Sequence, residues 1–175
     1  MELTCRLATR DDVPALTALM DAAIGELQRG WLTDAEIAAS RRLMGLDSRL
    51  IADGTYFVVE IDGQIAGCGG WSRRATLYGG DHSPGRDGHA LDPAGDAARV
   101  RAMYTHPDFA RRGVGRMILE RCESAARAEG FTRLELAATR AGEPLYAAGG
   151  FSVLERTFDA RGGVPVPLAR MGKDI

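Results

Sequence analysis

Apolar residues recur at helical spacing early in the chain, where Val13, Leu16, Leu19, Met20 and Ile24 fall on one face of a helix. Thr9 followed three residues later by Asp12 supplies a capping signal, and Pro14 sits in the first turn, where its missing N–H costs little. Residues 2–8 alternate enough to form a first strand. Thr33 with Glu36 repeats the capping pattern, and Ile37, Leu43, Met44 and Leu46 predict a second helix ending near Gly45. The pattern then changes to that of strands. The run YFVVE at 56–60 is β-branched and aromatic, Asp62-Gly63 is a strong hairpin turn, and 64–71 returns as the antiparallel partner.

Further on, 97–105 reads as a strand, 113–130 as a helix, and 132–138 as a strand with Leu134 and Leu136 on one face, together a parallel β–α–β unit. In that helix Val114, Ile118, Cys122 and Ala125 make one stripe suited to packing on a sheet, and Gly130 supplies a left-handed cap. A short helix at 143–148 and a strand at 151–158 follow. Gly162-Gly163 turns into 164–171, which closes a final hairpin either within one chain or by exchange with a partner in a homodimer. Residues 72–96 lack any sustained apolar period and are rich in turn residues, so they are expected to form one long loop of the kind that often carries function.

With 175 residues, 45% hydrophobic and 26% charged, the chain fits one domain, 1–175, large enough for a core and a cleft. A net charge of -2 from 22 basic and 24 acidic residues gives no field that favours nucleic acid or an anionic membrane as partner. The start MELTCRLATRDD has no leader pattern, and no stretch reaches the roughly 20 apolar residues a bilayer needs. Cys5, Cys68 and Cys122 are few and in no CxxC spacing, so a reducing cytoplasm is expected in place of a disulfide framework or a cysteine zinc site. His82, His89, Asp81, Asp87, Asp92 and Asp96 crowd the 72–96 loop without repeated ligand spacing, so no metal is expected there.

The segment that carries chemistry runs MYTHPDFARRGVGR from Met103 to Arg116: a strand, a proline bend, and a glycine-rich helix start. A helix N-terminus offers unpaired N–H groups and partial positive charge, and glycines let the backbone approach phosphate oxygens closely. Arg111, Arg112 and Arg116 add cations at the same point, an arrangement suited to a diphosphate. By itself GxG is weak: it is too short for a Walker A loop and lacks the third glycine of a dinucleotide fingerprint.

The whole stretch, however, resembles the pyrophosphate-binding motif of the GNAT acetyltransferases. A second stretch downstream, Leu134-Glu135-Leu136 leading to PLYAAGGF at 144–151, is similar to that family's Tyr-x-x-x-Gly-Phe signature. Two sequence departures stand out. Ala110 occupies a position where the family usually has Gln or Arg, and Thr139 one where many relatives have Asn, so no role is carried over to Thr139. The resemblance is strong over 97–158. It implies an α/β (mixed α+β) GNAT fold with a central sheet of six or seven strands, splayed at the fourth and flanked by about four helices.

It also implies acetyl-CoA as cosubstrate, bound by Arg111, Arg112, Gly113, Val114, Gly115 and Arg116 at the diphosphate. Backbone groups of Met103, Tyr104 and Thr105 would meet the pantetheine and the thioester, and an N–H there would stabilise the oxyanion. Tyr146 aligns with the family's general acid and would protonate the leaving thiolate. The expected reaction is direct attack by the primary amine of a small molecule, with no cysteine acyl-enzyme. Cys122, on the apolar helix stripe, and Cys68, in a strand of small residues, read as buried hydrophobes. An alkylamine with pKa near 10 needs something to take its proton, whether a carboxylate, a histidine or a water chain. Glu26, Glu60, His89 and Asp96 are the side-chain candidates, while His106 reads as a loop residue. Trp31, Trp71 and Tyr78 are candidate acceptor walls, with Trp71 favoured for the core. The alternatives are a noncatalytic acyl-CoA-binding sensor and a protein acetyltransferase acting on a lysine or an N-terminus.

Overall fold

Strand propensity at 56–61 and the Asp62-Gly63 turn give the sheet its first hairpin. In the computed structural model, which describes residues 1–175, Asp62 and Gly63 both adopt the positive φ that a tight two-residue turn demands, 49° and 80°. The strands are β1 (Leu3–Leu7), β2 (Tyr56–Ile61), β3 (Gln64–Ser72), β4 (Ala98–Thr105), β5 (Arg133–Thr139), β6 (Ser152–Asp159) and β7 (Val166–Asp174). The α-helices are α1 (Val13–Glu26), α2 (Asp34–Arg41), α3 (Ser48–Ala52), α4 (Val114–Ala128) and α5 (Glu143–Ala148). All seven strands form one sheet in the order β1-β2-β3-β4-β5-β7-β6. Only β4 and β5 run parallel, with α4 as their crossover. The final hairpin closes within one chain, and β7 slots between β5 and β6.

Each face of the sheet buries its own core. The stripe of α4 (Val114, Ile118, Cys122, Ala126) packs with Val59, Trp71, Leu134, Leu136 and Met171, and Trp71 meets Phe131 edge-on with ring centroids 6.0 Å apart. On the other face Leu16, Leu19, Met20 and Ile24 of α1 pack with Leu50, Tyr56, Val58 and Cys68. Burying a side chain of this size contributes about 1.5–3 kcal/mol, so the two helical stripes anchor the fold.

One expectation is corrected. The second helix does not reach Gly45: α2 stops at Arg41, and Leu43 is buried without being helical. The carbonyl oxygens of Leu43 and Leu46 accept from Gly80 N and Asp81 N of the 72–96 loop at 3.2 and 2.8 Å, so tertiary hydrogen bonds take the groups a continued helix would use. The sheet is flanked by five helices, of which α3 is five residues long, started by the Asp47 side chain accepting from Arg49 N, and too short to show a period. Past Ser72, which ends β3, residues 73–96 form no helix or strand and are pinned by bonds such as Leu91 N to Arg73 O, at 2.8 Å, and by the Arg74–Asp53 ion pair, also at 2.8 Å.

Candidate active site

β4 and β5 are paired only at Ala98↔Leu134 and Arg99↔Glu135, where the Arg99–Glu135 ion pair, at 3.0 Å, ties the closed end. Beyond that point the two strands diverge. A cleft of about 200 Å³ opens between them, with Val100 to Thr105 on one wall and Leu136, Ala137 and Thr139 on the other. The β3–β4 register slips at the same level, and Ala102 takes φ 49°. A bulge of this kind leaves backbone groups unpaired and re-aims its neighbours. Its carbonyl accepts from the Tyr56 hydroxyl at 2.6 Å, which fixes the irregularity from the α1 side. From the α4 side, Gly69 leaves room for Met103 and Ile118: an added Cβ would lie 2.7 Å from Met103 Cγ and 2.8 Å from Ile118 Cγ2.

At the head of α4, Gly113 is the cap residue in the left-handed region with φ 85°, and no side chain caps the helix. The N–H groups of Gly113, Val114, Gly115 and Arg116 donate to no backbone acceptor. Four unsatisfied donors in one turn form a preformed anion site. Arg111 and Arg112 are exposed beside it, Arg112 lying over the Phe109 ring, while Arg116 points to solvent and pairs with Glu120 at 3.0 Å. Val114 is buried in the core with its side chain against Gly67, so only its backbone can face a ligand.

Tyr146, on α5, stands over the open end of the cleft with Met103, Tyr104 and Thr105 opposite. Its ring meets Phe151 edge-on at 6.1 Å, and an added Cβ at Gly142 would lie 3.0 Å from its Cε2. Burial, with a smaller contribution from the neighbouring Cys122 thiol, pushes its phenol well above the ordinary tyrosine range, so the hydroxyl stays protonated. Tyr104 differs: its hydroxyl accepts from Gly45 N at 3.0 Å, so its side chain braces the 42–47 turn.

The other half of the cleft is built from the end of α1 (Ala23, Ile24) and the turn after it (Leu27, Gln28), the 44–45 turn, and Leu77, Tyr78 and Gly79 of the long loop. Its floor carries Arg101, buried and joined to the equally buried Asp47 at 3.2 Å and to the carbonyl of Gly79. Arg86 reaches Asp47 from the loop at 2.8 Å. Although burial opposes ionisation of Asp47, Arg86 and Arg101 outweigh it and hold its carboxyl below the usual carboxylate range. Nothing in the sequence periodicity marks this triad, since Asp47, Arg86 and Arg101 lie in a cap, a loop and a strand.

The remaining candidates are dispersed. Glu26 is on the exposed face of α1, Glu60 pairs with Arg6 at 2.9 Å on the far side of the sheet, and Asp96 accepts from Asp92 N. His89 is exposed and bonded to Asp87, and His106 caps the 107–109 turn by accepting from Asp108 N. None of these side chains lines the cleft. Trp31 is half exposed and also outside it, Trp71 is core, and Tyr78 alone of the three aromatics is a wall. Cys68 and Cys122 are buried and unpaired, burial pushing the Cys68 thiol up to about 12, far from a nucleophile's range. No three His, Cys, Asp or Glu side chains converge as a metal site would require.

Comparison with known proteins agrees with this geometry. No curated protein sequence matches the chain. Among solved structures, it is similar to a GCN5-related N-acetyltransferase of Rhodopseudomonas palustris at TM-score 0.73 and 18% identity, covering 100% of this chain and 97% of that one. It is also similar to the PaiA N-acetyltransferase of Thermoplasma acidophilum in complex with coenzyme A, at TM-score 0.68 and 14% identity over the whole of both chains. The ribosomal-protein-S18-alanine N-acetyltransferase of Escherichia coli follows at TM-score 0.60 and 17% identity, covering 99% of this chain and 94% of that one. At these identities the likeness speaks for the fold alone. The model of the acetyltransferase (GNAT) family matches residues 16–151, most of the chain, so the splayed β4–β5 pair and the open head of α4 belong to a member of the acetyltransferase (GNAT) family, an acyltransferase.

Proposed function

We propose that residues 1–175 act as one catalytic domain that transfers the acetyl group of acetyl-CoA to the primary amine of a small molecule by direct attack. The observation that carries this reading is the adjacency of a four-donor anion site at the head of α4 and an apolar cleft opening beside it between β4 and β5. The backbone of 113–116, with Arg111 and Arg112, would hold the diphosphate, while Met103, Tyr104 and Thr105 would run along the pantetheine and offer an N–H to the thioester oxygen. The amine nitrogen attacks the thioester carbon, the C–N bond forms as the C–S bond breaks, Tyr146 gives the departing sulfur a proton, and the proton shed by nitrogen restores the phenol. The products are the N-acetylated amine and the free thiol of CoA.

A small acceptor is favoured over a protein side chain because the whole cleft measures only about 200 Å³ and its acceptor half is roofed by Leu77 and Tyr78 from the long loop, in place of an open acidic groove. No helix is long and apolar enough to cross a membrane. The three unpaired cysteines support a reducing cytoplasm as its location. The test is release of CoA thiol from acetyl-CoA in the presence of a panel of small amines. Turnover that depends on an amine is expected; tight acetyl-CoA binding with no turnover of any amine, or turnover only of a peptide lysine, would sink the small-molecule reading.

A further inference from the structure

The cleft has an unusual inventory of ionisable groups. Its titratable side chains are Arg101, Tyr78, Tyr104 and Tyr146, and no carboxylate, histidine or lysine lines it. The phenols of Tyr78 and Tyr104 are, like that of Tyr146, pushed up mainly by burial. None of the three is a base near neutral pH. Arg101 is cationic, and the carboxylate that offsets it, Asp47, lies behind it and outside the cleft. The hollow beyond Leu77 and Tyr78 does carry Asp159 and Glu155, but Asp159 is doubly bonded to Arg161, which holds it below the usual carboxylate range against its burial, and Glu155 faces solvent beside Arg170.

Two neutral polar groups complete the acceptor wall. Gln28, in the turn after α1, is buried; its amide nitrogen donates to Ile24 O at 3.2 Å and to Ser40 Oγ at 3.0 Å, and Ser40 Oγ spends its own hydrogen on Ile37 O. That chain fixes the amide orientation and leaves Gln28 Oε1 without a partner. The Tyr78 hydroxyl is also buried and unpartnered. Neither an amide nor a protonated phenol takes a proton from an amine near neutral pH.

We propose that this cleft takes an acceptor amine of low basicity, one already largely neutral near pH 7, such as an α-amine next to a carbonyl or an aromatic amine. The proposal rests on the acetyl-transfer reading above. Proton bookkeeping shows why. When a neutral amine attacks, nitrogen sheds one proton and sulfur gains one, so transfer ends with no proton in surplus. An alkylammonium brings one more proton, which must be removed before attack, and no side chain lining the cleft is a base that would receive it. Such an ammonium would also enter an apolar site whose one charged group is a guanidinium, and uncompensated charge is disfavoured there. An α-amine, with pKa near 8, is already neutral to an appreciable extent at pH 7.5, whereas a lysine-like amine with pKa near 10.4 is neutral to roughly one part in a thousand.

The test uses the intact protein, acetyl-CoA and shape-matched amine pairs: alaninamide against 3-methylbutan-2-amine, and aniline against cyclohexylamine, reading CoA thiol release across pH 6–10. The weakly basic member of at least one pair is expected to have a kcat/KM about tenfold higher at pH 7.5, the loss of nucleophilicity offsetting part of the gain in neutral fraction. Which pair responds distinguishes an α-amino from an aromatic acceptor. For the basic member, kcat/KM should climb until pH nears the amine's own pKa. Equal or better turnover of the basic members, with a break between pH 6 and 8, would reveal an enzyme base and overturn the proposal. No turnover of any amine by protein that binds acetyl-CoA would overturn the transfer reading together with this one.

Discussion

Replacing Tyr146 with Phe should lower kcat by about a hundredfold, within the range a positioned general acid supplies, while acetyl-CoA affinity changes less than about twofold. The substitution keeps the ring that packs against Phe151 and removes only the hydroxyl. Because burial raises the phenol's pKa well above its ordinary value, it is protonated through the whole usable pH range, so wild-type kcat should show no descending limb from loss of this proton below about pH 9. Removing the hydroxyl should matter less with an acyl donor whose thiol is more acidic, since that sulfur leaves without help. Steady-state kinetics with acetyl-CoA and with a thioester of an aryl thiol separates the outcomes. Equal losses with both donors, or no loss with acetyl-CoA, would show that Tyr146 is only a packed ring.

The second large effect is on stability. Asp47→Ala should destabilise the fold by about 3–5 kcal/mol, because it leaves the buried guanidinium of Arg101 without its counter-charge and frees Arg86 from the loop. In a domain of this size that is a fall in Tm of about 10 °C. The same pair sets a pH dependence. The folded-state pKa of Asp47 is below its unfolded value, so its contribution is complete above the unfolded carboxylate pKa near 4 and is lost as pH falls through the lower folded value. Wild-type stability should therefore decline below about pH 4 more steeply than that of Asp47→Ala. Thermal unfolding from pH 3 to 7 measures both, and an Asp47→Leu, Arg101→Met double variant should recover most of the lost Tm if the orphaned charge is the cause. A loss below about 1 kcal/mol in the single variant would contradict a buried, paired Asp47.

These two residues also mark how far the sequence could be read. Tyr146 was singled out by the resemblance of the stretch at 144–151 to the family signature, and the structure sets it on α5 at the cleft. The α4 loop was legible because Gly113, Gly115 and the arginines are contiguous. Asp47, Arg86 and Arg101 were not, because a cap residue, a loop residue and a strand residue share no period, and only the folded 72–96 segment brings them together. The same segment explains the misplaced end of the second helix. The apolar spacing of Leu43, Met44 and Leu46 is helical in character, but the carbonyls of Leu43 and Leu46 are claimed by Gly80 and Asp81. Nor could spacing show that Glu26, Glu60, His89 and Asp96 all lie away from the cleft. Their types suit a base, yet burial and neighbours decide the role, and those are tertiary facts.

Calorimetric titration of acetyl-CoA into the wild-type protein and into a Gly113→Asp, Gly115→Asp variant, with the fold of the variant checked by circular dichroism, tests the head of α4 as the cofactor site. In the variant, carboxylates stand where the diphosphate would sit. Position 113 adds the strain of a side chain at φ 85°, and an added Cβ at 115 would lie 2.6 Å from Leu145 Cδ2. The account predicts binding to wild type and a loss of at least about a hundredfold in a variant that remains folded. Absence of binding to the wild-type protein, or equal binding by the folded variant, would contradict it.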